Sequence, residues 1–500
     1  MTSSRTLSID TLMSSSGVQF GTSGARGLVS AMTDQVCYAY TCAFLQHLKS
    51  GSNPLGINFS VAIAGDLRSS SPRIMNAVAA AVRDQGGQAI NCGHIPSPAV
   101  AYFGLQHKIP SIMVTGSHIP DDRNGIKFNS SLGEILKEDE LGIKAQEVTF
   151  AENCFDEQGM FTNSNDLHAL PKVSDEAYTL YVSRYLNFFP KDCLANKTIG
   201  LYEHSTVGRD IFRAILEGLG AKVKSLGRSD NFISVDTEAI RPEDVALARD
   251  WAQESNYDAI VSADGDADRP LISDEYGEWF RGDIAGILTA EYLDANYVST
   301  PVSSNTALEK SRKFRTISRT KIGSPYVIAS MQQAKLEDTV VGYEANGGFL
   351  LGTEIKRDTG SLLLPLPTRD AIIVPLSLLM LAQDKGLTLS QLATTLPPRF
   401  TASDRAKNFP TEKSKEIIAS FLSNNQPNFD AINDCFSSHF DSAKTVDITD
   451  GLRITFENQE VAHLRPSGNA PEFRCYNEAD SAQRAKDMNQ LCMQLIESWK

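Results

Sequence analysis

Ser117 stands in Gly116-Ser117-His118-Ile119-Pro120, directly after the apolar run Ser111-Ile-Met-Val114. A turn at the end of a strand needs glycine, asparagine or proline, not a serine held between a glycine and a histidine. A hydrolase serine would sit in a Gly-x-Ser-x-Gly elbow with a distant histidine. That elbow is absent, and an adjacent histidine is poorly placed to be its neighbour's base. A serine can also carry a phosphoryl group, given a cation and a general acid/base nearby. Lys127, ten residues on in Asn124-Gly-Ile-Lys127, could supply either. A strand-end turn capped by Ser117 accounts for the loop equally well.

Asp264-Gly-Asp266-Ala-Asp268-Arg269 puts carboxylates at i, i+2 and i+4 of a tight loop. Like charges that close repel unless a cation joins them, and an all-oxygen set suits Mg²⁺ or Ca²⁺. An EF-hand reading finds Glu275 at the twelfth position, but Arg269 occupies the sixth, where glycine is needed, and a strand precedes the loop. A solvated acidic turn is the plainer alternative. Were Ser117 phosphorylated, one metal could bridge its phosphate to these aspartates, which would explain both loops together. Glu344 and Asn346, in Gly342-Tyr-Glu344-Ala-Asn346-Gly-Gly348, offer a carboxylate and an amide suited to vicinal sugar hydroxyls. Arg465-Pro-Ser467-Gly468-Asn469-Ala-Pro-Glu-Phe-Arg474 gathers two arginines, a hydroxyl, an amide and glycine-exposed N–H groups, a set that suits a phosphate dianion.

Elements that could position these loops follow one another in βαβ order. VAIAGD (61–66) is a strand, Pro72 opens a helix ended by Gly86-Gly87, QAINCG (88–93) is a strand, a helix follows from Pro98, and SIMVTG (111–116) is a strand again. The order restarts at TIGLYEH (198–204), with a helix over 209–218 and the strand YDAIVSADGD, and again from GDIAGILTAEYL through DTVVGYEANGG to a helix predicted from Arg369. Three apolar strands thus each deliver a polar, glycine-containing loop, and ligands of open α/β sheets bind beyond strand carboxyl ends. The last hundred residues carry short strands and a final helix, an α+β pattern.

The chain of 500 residues is long enough for three or four domains. Its net charge, 47 − 61 = −14, and its lack of a basic block argue against nucleic acid. No apolar stretch is long enough to span a bilayer, the N-terminus lacks a signal-peptide core, and the eight cysteines show no zinc spacing. These features predict free thiols in a reducing cytoplasm, with neither nucleic acid nor membrane as partner.

In this order the four motifs resemble the α-D-phosphohexomutase family over nearly the whole chain. Phe20-Gly-Thr-Ser-Gly-Ala-Arg26-Gly27 is similar to the family's N-terminal motif, Thr115-Gly-Ser117-His118-Ile-Pro with Asn124-Gly-Ile-Lys127 to its phosphoserine loop, Asp264–Arg269 to its metal loop and Arg465-Pro-Ser467-Gly468 to its phosphate loop. The resemblance implies an α/β protein of four domains around a central cleft: three βαβ-type mixed-sheet domains over 1–170, 171–278 and 279–397, and a C-terminal α+β domain over 398–500. It implies reversible conversion of a hexose 6-phosphate to its 1-phosphate through a phosphoserine and a hexose 1,6-bisphosphate, which also serves as activator, in a monomer or homodimer.

The family pattern makes Ser117 the phosphorylated residue and, with Asp264, Asp266 and Asp268, a ligand of one Mg²⁺. It assigns proton transfer and charge stabilisation to Arg26 and Lys127, with His118 beside them in the catalytic group. Arg269, Lys321, Glu344 and Asn346 would bind the sugar side of the substrate, and Arg465, Ser467, Gly468, Asn469 and Arg474 its non-reacting phosphate. The sugar loop departs from the usual Gly-Glu-x-Ser-Gly-His: Asn346 replaces the serine and Gly348 the histidine. Glu-Ala-Asn-Gly-Gly is similar to members acting on mannose phosphates, so mannose leads, with glucose and glucosamine phosphates as alternatives. A reading of another class, a non-catalytic sugar-phosphate or calcium sensor, is permitted by Asn346 and Gly348 and opposed by the retained Ser117, Lys127 and aspartates.

Overall fold

A computed structural model describes residues 4–21, 24–51, 54–162, 169–467 and 471–500. The chain forms two compact units, Met1–Ala295 with Gly323–Leu392, and Asn296–Ile322 with Ala393–Lys500.

In the first unit the strand Ser60–Gly65 is apolar on both faces, as a strand covered by helices on each side must be. The helix Ser71–Asp84 starts with Pro72 in its first turn, where a missing N–H costs nothing, and the chain leaves it through Gly86 at φ 81°. Gln88–Gly93 and Ser111–Val114 pair in parallel on either side of Ser60–Gly65. Arg123–Ser130 then folds back antiparallel to Ser111–Val114, setting Lys127 opposite Met113, and pairs with Ala25–Leu28 on its other edge. A second mixed sheet runs Lys222–Leu226, Thr198–Tyr202, Ala259–Ala263, Pro270–Ile272, with only the last antiparallel. Val340–Tyr343, Phe349–Leu351 and Leu366–Asp370 pair antiparallel beyond it in sequence.

One boundary differs from the sequence expectation. Arg369 and Asp370 end a strand, and the helix begins only at Ile373. Asp370 pairs with Phe349, and its carboxylate accepts hydrogen bonds from the hydroxyls of Tyr181 and Tyr185, so the chain stays extended there.

In the second unit Tyr297–Pro301 and Thr316–Thr320 pair in parallel. A five-stranded antiparallel sheet runs Phe400–Lys407, Glu472–Ala479, Val461–Pro466, Leu452–Phe456, Ala443–Asp447. Leu452–Phe456 alternates buried with half-buried residues, the period of a sheet with one face on the core. Phe409, Phe456, Phe473 and the helix residues Met488 and Ile496 fill that core. All eight cysteines are free thiols. Among the described residues no helix is long and apolar enough to cross a membrane.

Candidate active site

Ser117 is fully buried and takes φ 55°, a left-handed conformation that is costly for a residue with a side chain and is kept only where surroundings enforce it. The enforcement is visible. Ser117 N–H donates to Thr115 Oγ1 at 2.7 Å, and Thr115 Oγ1 donates to Asp66 Oδ2 at 2.7 Å. The guanidinium of Arg68, held by Asp66 at 3.1 Å, donates to the carbonyls of Ser117, Ile119, Pro120 and Arg123 at 3.0, 2.6, 2.8 and 3.1 Å. Sequence reasoning missed both residues. Their signal was the same one that marked the other loops: VAIAGD is an apolar strand that ends in a polar turn.

Ser117 Oγ donates to Asp264 Oδ2 at 2.5 Å, which joins the two loops the sequence singled out. Asp264 Oδ1 accepts from the backbone N–H groups of Asp268 and Arg269 at 3.2 Å each. Lys127 Nζ lies 2.5 Å from both Asp266 Oδ2 and Asp268 Oδ2, and Ser97 Oγ donates to Asp266 Oδ2 at 2.5 Å. The ligand atoms of the three aspartates lie within 4.8 Å of one another. Asp266 Oδ1 and Asp268 Oδ1 are buried and accept no hydrogen bond. Dry carboxylate oxygens without donors are what a hard cation satisfies, so the set fits a divalent ion. Burial, then the charges of Asp266 and Asp268, push the Asp264 carboxyl well above its usual range. Burial acts the same way on Asp268, but Arg369, Lys127 and Arg269 outweigh it and hold that carboxyl below the usual range. Glu275, the residue an EF-hand would need, instead accepts from Ser390 N–H and Oγ at 3.1 and 2.6 Å.

Arg26 faces Gly125 across the antiparallel pair, and a Cβ on Gly125 would come 2.9 Å from Arg26 Cγ. Its Nε is buried without a hydrogen-bond partner. Removal from bulk water, then Arg269 and Arg369, lower the guanidinium to about 10. His118 Nδ1 comes within 3.3 Å of Ser117 Oγ, across a left-handed turn at Ser117. Burial, then Arg269 and Arg26, hold that imidazole well below its usual value, so it is neutral near pH 7.

In the sugar loop, Glu344 N–H donates to Gly348 O at 3.0 Å, and Gly348 N–H donates to Asn346 Oδ1 at 2.9 Å. The amide oxygen of Asn346 is thus turned into its own loop. Thr237 Oγ1 donates to the Asn346 carbonyl at 2.7 Å, while Ser234 Oγ donates to the His118 carbonyl, so one segment touches both the sugar loop and the phosphoserine loop. Arg369, missed because the sequence read it as a helix start, lies 2.9 Å from Asp268 Oδ2 and 3.3 Å from Glu344 Oε2.

Ser117, His118, Lys127, Arg26, Asp264, Asp266, Asp268, Arg269, Glu344 and Asn346 all belong to the first unit. Lys321, Arg465, Ser467 and Arg474 belong to the second; Gly468 and Asn469 lie outside the described residues. There Arg465 and Arg474 sit opposite one another across an antiparallel pair. Asp450 Oδ2 accepts from Arg465 Nε and from the N–H of Ile322, the residue after Lys321, at 2.9 Å each. Sequence reasoning gave no role to Asp450.

Family models for phosphoglucomutase/phosphomannomutase α/β/α domains I, II and III match residues 17–150, 176–277 and 281–400. A phosphomannomutase of Salmonella muenchen is 42% identical over 97% of this chain and 97% of its own length. One from Sinorhizobium fredii is 40% identical over 94% and 97%. A solved phosphoglucomutase/phosphomannomutase family protein from Burkholderia thailandensis shares the fold with a TM-score of 0.71 at 17% identity, over 96% of this chain and 97% of that one. The chain is an α/β protein with three α/β/α domains and a further C-terminal domain. It belongs to the phosphoglucomutase/phosphomannomutase family of α-D-phosphohexomutases.

Proposed function

We propose that the protein interconverts mannose 6-phosphate and mannose 1-phosphate through a phosphoserine at Ser117 and a hexose 1,6-bisphosphate. The observation that carries this reading is the 2.5 Å hydrogen bond from Ser117 Oγ to Asp264 Oδ2, which seats the serine hydroxyl on a buried carboxylate triad. The two relatives named phosphomannomutase support the choice of sugar.

Ser117, Asp264, Asp266 and Asp268 would hold one Mg²⁺. A divalent cation bound there supplies positive charge against the phosphoryl oxygens. In the first half-reaction the P–Oγ bond of phosphorylated Ser117 breaks as a bond from phosphorus to a sugar hydroxyl oxygen forms, and that hydroxyl gives up its proton; in the second, the bisphosphate's other P–O bond breaks as Ser117 Oγ takes that phosphoryl group, and the freed sugar oxygen takes up a proton. Arg26, with its unpartnered Nε, stabilises the transferring group. Lys127 and the neutral imidazole of His118 would take or return the proton; the ion pair of Lys127 with Asp266 and the low-lying imidazole of His118 support this reading. Arg269, Lys321, Glu344 and Asn346 are assigned to substrate binding. Arg465, Ser467, Gly468, Asn469 and Arg474 are assigned the non-reacting phosphate. The four-domain division at 1–170, 171–278, 279–397 and 398–500 is proposed with it.

The test gives purified protein Mg²⁺, a trace of hexose 1,6-bisphosphate and, separately, mannose, glucose and glucosamine 1-phosphates, and reads 6-phosphate formed. Fastest turnover of mannose 1-phosphate is expected. Preference for another sugar overturns the specificity; turnover of none overturns the mutase reading.

A further inference from the structure

The sugar loop has glycine where the family pattern has histidine, and the structure shows what fills the place. A Cβ built on Gly348 would come 2.5 Å from Arg369 Cδ and 2.7 Å from Arg369 Cγ. No side chain fits there while Arg369 takes its present course. The arginine runs over the bare backbone of Gly348 and ends in two ion pairs, Nη2 with Asp268 Oδ2 at 2.9 Å and Nη1 with Glu344 Oε2 at 3.3 Å. All three side chains are buried, so these charges are screened little. The strand end that carries Arg369 is itself anchored, since Tyr181 and Tyr185 donate to the next carboxylate, Asp370.

We propose that Arg369 is a positioning residue that couples the metal loop to the sugar loop, in the volume that Gly348 vacates. A planar guanidinium has donors enough to serve two carboxylates from fixed directions, which an ammonium cannot do with the same geometry. Glu344 is thereby aimed by the same group that neutralises Asp268, and substrate affinity and metal affinity become linked. The inference rests on the mutase reading above and names how its sugar site is held.

The test begins with the wild-type enzyme on mannose 1-phosphate, measuring KM, kcat and the Mg²⁺ concentration for half-maximal rate. Arg369→Lys keeps the charge and loses the fork. KM and the Mg²⁺ requirement are both expected to rise about tenfold, with kcat at saturation changed less. Gly348→Ala, which leaves every charge in place, is expected to raise the same two quantities, and it carries the test if Arg369→Lys does not fold. Gly348→His alone is expected to lose most activity by the same collision. Wild-type KM and Mg²⁺ requirement in Arg369→Lys or in Gly348→Ala would overturn the inference while leaving the mutase reading intact. A wild-type enzyme that turns over no hexose 1-phosphate overturns that reading and this inference with it.

Discussion

Ser117 Oγ and Asp264 Oδ2 lie 2.5 Å apart although 147 residues separate them in the chain. The hydroxyl is buried, its backbone is held left-handed, and its acceptor is the carboxyl whose charge the site most disfavours. Ser117→Ala removes the hydroxyl and little else. It is expected to cut turnover by about a thousandfold or more, with an unchanged circular dichroism spectrum. Intact-mass measurement after incubation with a hexose 1,6-bisphosphate should show one added phosphate on the wild type and none on the variant.

Removal of divalent cations by a chelator is expected to abolish activity, and Mg²⁺ to restore it. Asp266→Asn withdraws one negative charge from a triad in which Asp266 Oδ1 and Asp268 Oδ1 accept no hydrogen bond. Its Mg²⁺ requirement should rise by at least about tenfold. A titration curve identical to wild type would show that the ion, if needed, binds elsewhere.

Arg68 gives the phosphoserine loop its shape through four backbone carbonyls, and Asp66 is its only carboxylate contact among the ion pairs of the described residues. Arg68→Met strands a fully buried carboxylate and frees those carbonyls. A loss of about 3–5 kcal/mol in urea unfolding is expected. Asp66→Asn combined with Arg68→Met should recover part of the loss, because no uncompensated charge then remains.

Two histidines make stability depend on pH. Burial holds the imidazoles of His204 and His463 down at about 4, against the 6.5 of a free imidazole. Each ring donates to a backbone carbonyl, that of Ala263 and that of Asp450 respectively. As pH falls through 6.5 the unfolded chain takes up protons that the folded protein refuses until about pH 4. Their contribution is complete above that window and is lost as pH falls across it. At pH 5 each should have cost about 2 kcal/mol relative to pH 7. Urea midpoints that stay level from pH 7 to pH 5 would contradict this.

Thr237 hydrogen-bonds the Asn346 carbonyl from a segment that sequence reading passed over. Thr237→Val keeps the shape and strands that carbonyl, at about 1–2 kcal/mol. KM for the sugar phosphate should rise more than kcat falls, since the sugar loop loosens while Ser117 is undisturbed.

The motifs that announced themselves in the sequence did so because several chemically unusual residues stand close together in the chain. Asp264, Asp266 and Asp268 alternate in one turn, and Ser117 and Lys127 share one hairpin, so local spacing carries their meaning. Element order was legible for a related reason: strands covered on both faces are mostly apolar, and Ser60–Gly65 and Ala259–Ala263 are buried almost throughout and largely apolar. Asp66, Arg68, Arg369 and Asp450 act across large sequence separations, where a lone charged residue looks like any other. Arg369 was concealed further by the apolar helix after it, whose pattern extends back into the strand. Its end is set by the ladder to Phe349 and by two tyrosines nearly two hundred residues earlier. The closeness of His118 to Ser117 was hidden because spacing assumes ordinary backbone angles, and Ser117 does not have them.

Asp450 offers one oxygen atom to two clients, the N–H of Ile322 and the Nε of Arg465. A single atom cannot follow one client without pulling on the other. The turn bearing Lys321 and the strand end bearing Arg465 are therefore hung on one carboxylate oxygen, and any displacement of Asp450 would disturb both together.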